Sequence, residues 1–196
     1  MKRAYNRREK KGSRRDLMQV IANGLPAVLA LFLSRSPHFY TIAVVGYSAS
    51  LAEAMADTFA STFGIMSKND PVSIITFTRV PKGISGGVTV RGLVFSLLGS
   101  SLMALLHFGV INSNVHQALI IAGTGFLGAL IDSVLGATVQ EHYETEDGTI
   151  TEKKYDDNGE KNRRVRGIPG FDNDIVNLVS GILSLSASLF LSSLIA

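Results

Sequence analysis

Residues 39–66 read FYTIAVVGYSASLAEAMADTFASTFGIM, and this stretch decides the fold. Nearly every position is apolar or small, over more than the roughly 20 residues that span a hydrocarbon core. Only Glu53 and Asp57 interrupt it. Four residues apart on a helix, the two carboxylates share one face. An ionisable group inside a membrane span is costly to desolvate, so its default reading is a functional site.

Working outward, four more apolar runs flank this one. Membrane-spanning helices are predicted at about 17–33, 40–63, 88–109, 115–137 and 175–194. The first carries Asn23 and Pro26, and the proline is expected to kink it. The expected fold is therefore an all-α membrane protein: a basic tail, 1–16, followed by one transmembrane domain, 17–196, with five helices. Charged residues are 18% of the chain and hydrophobic ones 46%. The charged residues crowd between the apolar runs.

Eighteen of the nineteen Lys and Arg residues fall in three places: the tail, the loop before the third span with that span's start, and the loop before the fifth. Only Arg35 lies elsewhere. By the positive-inside rule these regions are cytoplasmic, and the C-terminus lies on the opposite side. The plain reading of the tail is an anchor for anionic lipid, with a nucleotide-binding role as the alternative. No aromatic array or binding motif accompanies the charges, which argues against nucleic acid as a partner. The N-terminus does not read as a secretory signal. The chain has no Cys, which excludes disulfide and thiolate chemistry. The polar loop 140–170 holds two turn signals, Asp147-Gly148 and Asn158-Gly159. It reads either as a small β-hairpin or as a disordered charged loop.

That topology gathers the odd polar residues at one depth. Asn23, Glu53, Asp57, Asp132, Ser133, Asp172, Asp174 and Asn177 all fall at the cytoplasmic ends of four spans. His107 and His116 fall near the outer ends and read as interfacial. Before the third span lies Arg79-Val-Pro-Lys-Gly-Ile-Ser-Gly-Gly87. Its glycines let backbone amides approach an anion, and Gly86-Gly87 are expected to sit at the start of a helix. Arg79 and Lys82 supply charge. The loop resembles phosphate-binding chemistry without being a Walker A sequence, and a plain turn is the alternative. Carboxylates beside such a loop point to Mg²⁺ bridging phosphates. The candidate ligands are Glu53, Asp57, Asp132, Asp172 and Asp174. Asp172 fits equally as a helix N-cap, and Asp174 as a first-turn partner of the helix dipole.

Asp57-Thr-Phe-Ala-Ser-Thr-Phe-Gly64, the Arg79–Thr89 loop, Asp132-Ser-Val-Leu-Gly-Ala-Thr-Val-Gln140 and Asp172-Asn-Asp-Ile-Val-Asn177 occur in that order. Together they resemble the phytyl-phosphate kinase family, which includes transmembrane protein nineteen, over about Gly12 to the C-terminus. The resemblance implies an integral membrane kinase. It would phosphorylate a prenyl monophosphate to the diphosphate from a nucleoside triphosphate, with CTP favoured and Mg²⁺ as cofactor. On this reading Asp57, Asp132 and Lys82 are catalytic, and Asp57, Asp132 and Asp174 hold the metal. Arg79, Lys82, Gly83, Ser85, Gly86 and Gly87 bind nucleotide, and Asn23 and Asn177 orient head groups. The chain departs from the family at Thr62, where Glu is usual, and at Ile84, where Thr is usual. Glu53 is the expected substitute for the missing acid. Family members commonly carry further spans before the basic segment, so a short member or one lacking an N-terminal part is expected. Two alternatives belong to other classes: an ion-coupled transporter, and a non-catalytic lipid-binding or assembly protein. Small-residue faces such as Ala49, Ala52, Ala56 and Ala60 favour close helix packing and are compatible with a homo-oligomer.

Overall fold

The computed structural model describes residues 17–156 and 158–195; the basic tail lies outside them. Five helices form: α1 (Leu17–Leu33), α2 (Tyr40–Ile65), α3 (Val90–Ile111), α4 (Val115–Thr138) and α5 (Asn173–Ser193). Three of them, α3, α4 and α5, are long and apolar enough to cross a membrane. α1 is apolar but shorter. α2 is the longest, and its two carboxylates and many small residues lower its hydropathy. It does not need an apolar surface of its own, because all four other helices pack around it. α1 also packs on α5, and runs unbroken through Pro26.

The packing is that of a lipid-facing bundle. Ala43, Ala49, Ala52 and Ala56 are fully buried on α2, while Val90, Val94, Leu97, Leu102 and Leu105 of α3 face outward. Helices in lipid associate through small residues that let backbones approach, since large apolar side chains gain nothing by leaving the bilayer. Glycines make the closest approaches. A Cβ at Gly125 would lie 2.7 Å from the Ala52 Cβ, and one at Gly181 would lie 2.8 Å from the Pro26 ring. At Gly128 it would meet Glu53 Cγ at 2.5 Å and Ser184 Cβ at 2.9 Å. Gly128→Ala is therefore expected to destabilise the bundle by about 1–3 kcal/mol. The check is the thermal unfolding midpoint of the detergent-solubilised protein; an unchanged midpoint would mean that α4 and α5 can separate without cost.

Local signals set the helix ends. Thr89 caps α3 by accepting from Gly92 N at 2.9 Å, and Asn112, left-handed at φ 52°, ends it. Asn114 and Gln117 form a capping box at the start of α4. Asp172 caps α5, accepting from the amides of Asp174 and Ile175 at 3.1 Å each.

Two small sheets lie between the helices. β1 (Val72–Ser73) pairs antiparallel with β2 (Gly87–Val88), closing the glycine loop into a lash. β3 (His142–Glu144) pairs with β4 (Ile150–Thr151) across the Asp147-Gly148 turn, and with β5 (Arg163–Arg166) on its other edge. A further bridge, Tyr155 to Lys161, closes over Asn158-Gly159. The polar loop is thus an ordered three-stranded sheet, and both of its turn signals close antiparallel pairs.

Candidate functional site

The carboxylates of α2 and α4 meet at a serine of α5. Ser180 Oγ lies 2.8 Å from Glu53 Oε1 and 3.2 Å from Asp132 Oδ2, and all three residues are buried. One hydroxyl proton can serve only one of these acids at a time. Asp57, one turn along α2 and half-buried, acts electrostatically on both Glu53 and Asp132. Glycines of the neighbouring helices, Gly128 and Gly181, leave room for the Glu53 side chain. Asn177 is buried one turn before Ser180, and its carbonyl accepts from the Ser180 hydroxyl.

The glycine loop docks on the same end of α4. A Cβ at Gly136 would lie 2.8 Å from Ser85 Cβ, and Gly136 is one turn beyond Asp132. Gly86 sits against Ala137. The loop does not, however, place Gly86-Gly87 at a helix N-terminus. Gly87 N donates to Ile84 O at 3.2 Å, β2 intervenes, and Thr89 takes the cap. Lys82 Nζ donates to Ser67 O, while Arg79 and Gly83 are exposed on the lash. Asn23 donates to Gln19 O of its own helix at 2.9 Å, so this contact does not turn it toward the acids.

A fourth acid arrives from the sheet. Glu152, just after β4, accepts from Ser85 N at 2.8 Å and acts electrostatically on Asp132. It ties the sheet, the glycine loop and the acidic cluster together. Sequence reasoning missed it: the 140–170 loop reads either as a hairpin or as a disordered charged loop, and nothing local tells which side chain returns to the bundle. Ser180 did leave a signal. Asn177, Ser180, Ser184, Ser188 and Ser192 recur every three or four residues and form one buried polar stripe on α5.

Asp172 serves as the α5 cap, and Asp172 and Asp174 line a cavity of about 320 Å³ beneath the sheet, together with Glu152. Burial and hydrogen bonds set the charge states along the sheet wall. Burial pulls His142 below the usual imidazole range; the Gln140 carbonyl opposes this and Arg166 adds to it. Burial and the bond to Glu141 push the Tyr143 hydroxyl up to about 12, so it remains a donor. Burial alone would raise Glu141, but bonds from Tyr143 and Gly170 and the Arg164 charge outweigh it, and its carboxyl lies below the usual range.

His107, read as interfacial, is buried between α2 and α3 with Nδ1 2.8 Å from Ser48 Oγ. His116 is exposed at the start of α4.

Among the described residues, no three His, Asp or Glu side chains are grouped to hold a metal by themselves. The donor set nonetheless suits a hard cation. Mg²⁺ takes one or two carboxylates and completes its shell with phosphate oxygens and water. Glu53, Asp57 and Asp132 bring carboxyl groups together, and such an ion would offset their mutual repulsion.

Comparison with known proteins agrees with the membrane architecture. An uncharacterized membrane protein of Methanocaldococcus jannaschii is 38% identical over 128 residues, covering 63% of this chain and 50% of its own length. Protein PGR of Arabidopsis thaliana is 31% identical over 199 residues, covering 89% of this chain and 68% of its own length. An uncharacterized membrane protein of Synechocystis is 28% identical over 137 residues, covering 69% and 53%. The chain thus spans about half the length of two of these relatives and two thirds of the other. No solved structure matches. A family profile described as "Integral membrane protein DUF92" matches residues 1–185, and the chain belongs to that family of integral membrane proteins.

Proposed function

We propose that this chain is a membrane kinase that transfers a phosphoryl group from a nucleoside triphosphate, CTP favoured, to a prenyl monophosphate. The observation that carries this reading is the meeting of Glu53, Asp57 and Asp132 beside Ser85 and Gly86 of the glycine loop, with Glu152 linking the two. Carboxylates adjoining a glycine-lined loop at one end of a helical bundle suit a head group presented from the bilayer. The resemblance of the Asp57, Arg79–Thr89, Asp132 and Asp172–Asn177 motifs to the phytyl-phosphate kinase family supports the same chemistry. All five helices cross the membrane in this reading. The tail, the lash and the sheet face the cytoplasm, in line with the charge bias.

The acceptor is a phosphate oxygen already ionised near neutral pH, so no strong general base is required. Positioning and charge neutralisation carry the catalysis. Asp57 and Asp132, with Glu53 behind them, would hold Mg²⁺, which when bound neutralises charge on the transferring phosphoryl group. Ser180 is a positioning residue that orients the two buried acids. Lys82 and Arg79 add positive charge on the lash, where nucleotide phosphates would lie. The buried acids gather on one stretch of α2 and α4 around Ser180, which favours a one-sided site over a transport path.

The test is direct. Purified protein is incubated with labelled CTP, Mg²⁺ and phytyl, farnesyl or geranylgeranyl monophosphate. Appearance of the labelled diphosphate is the expected result; none with any nucleotide or chain length would sink the proposal.

A further inference from the structure

The glycine loop already holds an anion. Ser85 N donates to Glu152 Oε1 at 2.8 Å, and the two residues stand 67 positions apart. In sequence the loop reads as a place where backbone amides meet an anion, and the anion met here is a carboxylate of the same chain. A carboxylate oxygen accepts from a backbone amide as a phosphate oxygen does. The location is a costly one for an acid. Glu152 acts electrostatically on Asp132, as do Asp57 and Glu53, and such groups repel one another when ionised. Other contacts hold the shape of the loop. Gly86 is seated against Ala137 and Ser85 against Gly136, and Ile74 N donates to Gly86 O at 3.0 Å. The backbone on either side of Glu152 is held as well: Thr151 pairs with Tyr143, and Asn162 Nδ2 donates to Lys153 O at 2.9 Å. That leaves the Glu152 side chain as the part able to move. It is half-buried and lines the cavity of about 320 Å³, whose wall also carries Lys154.

We infer that the Ser85 amide is a binding site for a phosphate group, and that Glu152 occupies it in the phosphate's place until the ligand displaces it. The inference rests on the kinase reading for the source of the phosphate, a nucleotide or a lipid head group; the site itself belongs to the loop. The incoming group arrives through the cavity that Glu152 lines and takes the Ser85 hydrogen bond. Glu152 turns into the cavity, toward the wall that carries Lys154. One anion replaces another on a loop already in shape, so no backbone has to be rebuilt. The apparent affinity for phosphate is then the intrinsic affinity scaled down by the fraction of molecules in which the amide is open. Glu152 thereby sets a threshold for ligand binding.

The test measures equilibrium binding of labelled pyrophosphate, CTP and farnesyl monophosphate, each with Mg²⁺, to the full chain in nanodiscs of neutral lipid. Wild type is compared with Glu152→Gln and Glu152→Asp. Glutamine keeps the length and loses the charge; aspartate keeps the charge but is one methylene too short to hold Ser85 N. Both variants are expected to bind the phosphate ligand about tenfold more tightly than the wild type. A gain for pyrophosphate and CTP alone assigns the amide to the nucleotide, a gain for farnesyl monophosphate alone assigns it to the lipid head group, and a gain for all three sets both against it. A gain in Glu152→Gln with none in Glu152→Asp means through-space repulsion only and overturns the inference. Weaker binding in either variant overturns it too, since Glu152 would then be a tie the site needs, and so does no binding of any ligand by wild type and variants alike. The kinase reading fails separately. Diphosphate formed by the wild type, with unchanged affinities in both variants, leaves that reading standing and removes this inference. Tighter pyrophosphate binding in both variants, with no diphosphate formed by any of the three proteins, does the reverse.

Discussion

Asp132→Asn is expected to lower phosphoryl transfer on the order of 100-fold or more, while leaving the protein at least as heat-stable as the wild type. Both halves follow from one arrangement. Asp132 is buried on α4, in contact with Ser180 and under the field of Asp57, Glu53 and Glu152. Asparagine preserves its shape and can still meet the Ser180 hydroxyl. It removes one acid from a crowded group, so the folded state no longer has to hold that charge among its neighbours. The same charge is what would hold Mg²⁺ and the phosphates, and loss of one such electrostatic partner commonly costs two to three orders of magnitude in rate. Activity is measured as labelled prenyl diphosphate formed, and stability as the thermal unfolding midpoint. A fully active variant would remove Asp132 from the site. A lowered midpoint would make it a structural acid instead.

Parts of this arrangement were legible in the sequence for a physical reason. Membrane insertion selects on local hydropathy, so apolar runs mark helices almost directly: α1 occupies the residues expected, and the other four differ by one or two residues at one or both ends. At the starts of the third and fifth helices the difference traces to a cap. Thr89 holds the third helix back from Gly87-Val88, and Asp172 starts the fifth earlier than its apolar run. The acids of the site were equally visible, because a carboxylate in such a run is conspicuous. What hydropathy cannot carry is the return of a distant loop. Glu152 reaches Ser85 across 67 residues only because β4 pairs with β3, and nothing in Thr-Glu-Lys distinguishes that acid from a solvated one. Gln140 read only as the end of the Asp132 motif and the start of the polar loop, and its burial is visible only once the sheet covers it. Ser48 and His107 lie 59 residues apart, and their bond depends on how α2 and α3 pack.

Gly86→Ala is expected to weaken nucleotide binding by about tenfold or more while the five helices remain folded. Two effects act at this position. Gly86 has φ +82°, where a side chain costs about 1–2 kcal/mol. A Cβ there would also lie 2.4, 2.5 and 2.6 Å from the Cβ, Cα and N of Ala137. Two of those three atoms are helix backbone, which cannot swing aside as a flexible side chain would. The lash must lift from α4, and lifting it pulls Ser85 N away from Glu152. Gly83→Ala separates the two effects. Gly83 has a similar φ of +81° with nothing within 4 Å of the added carbon, so it should lose only the strain and bind nearly normally. Ala137→Gly supplies the second control. It deletes the Ala137 Cβ and leaves the two backbone clashes, so it should not rescue Gly86→Ala. Binding is read by titration of CTP with Mg²⁺, and helix content by circular dichroism. Equal losses in Gly83→Ala and Gly86→Ala would mean that the loop's conformation alone matters, and that its seat against α4, beside Asp132, has no part in holding the nucleotide.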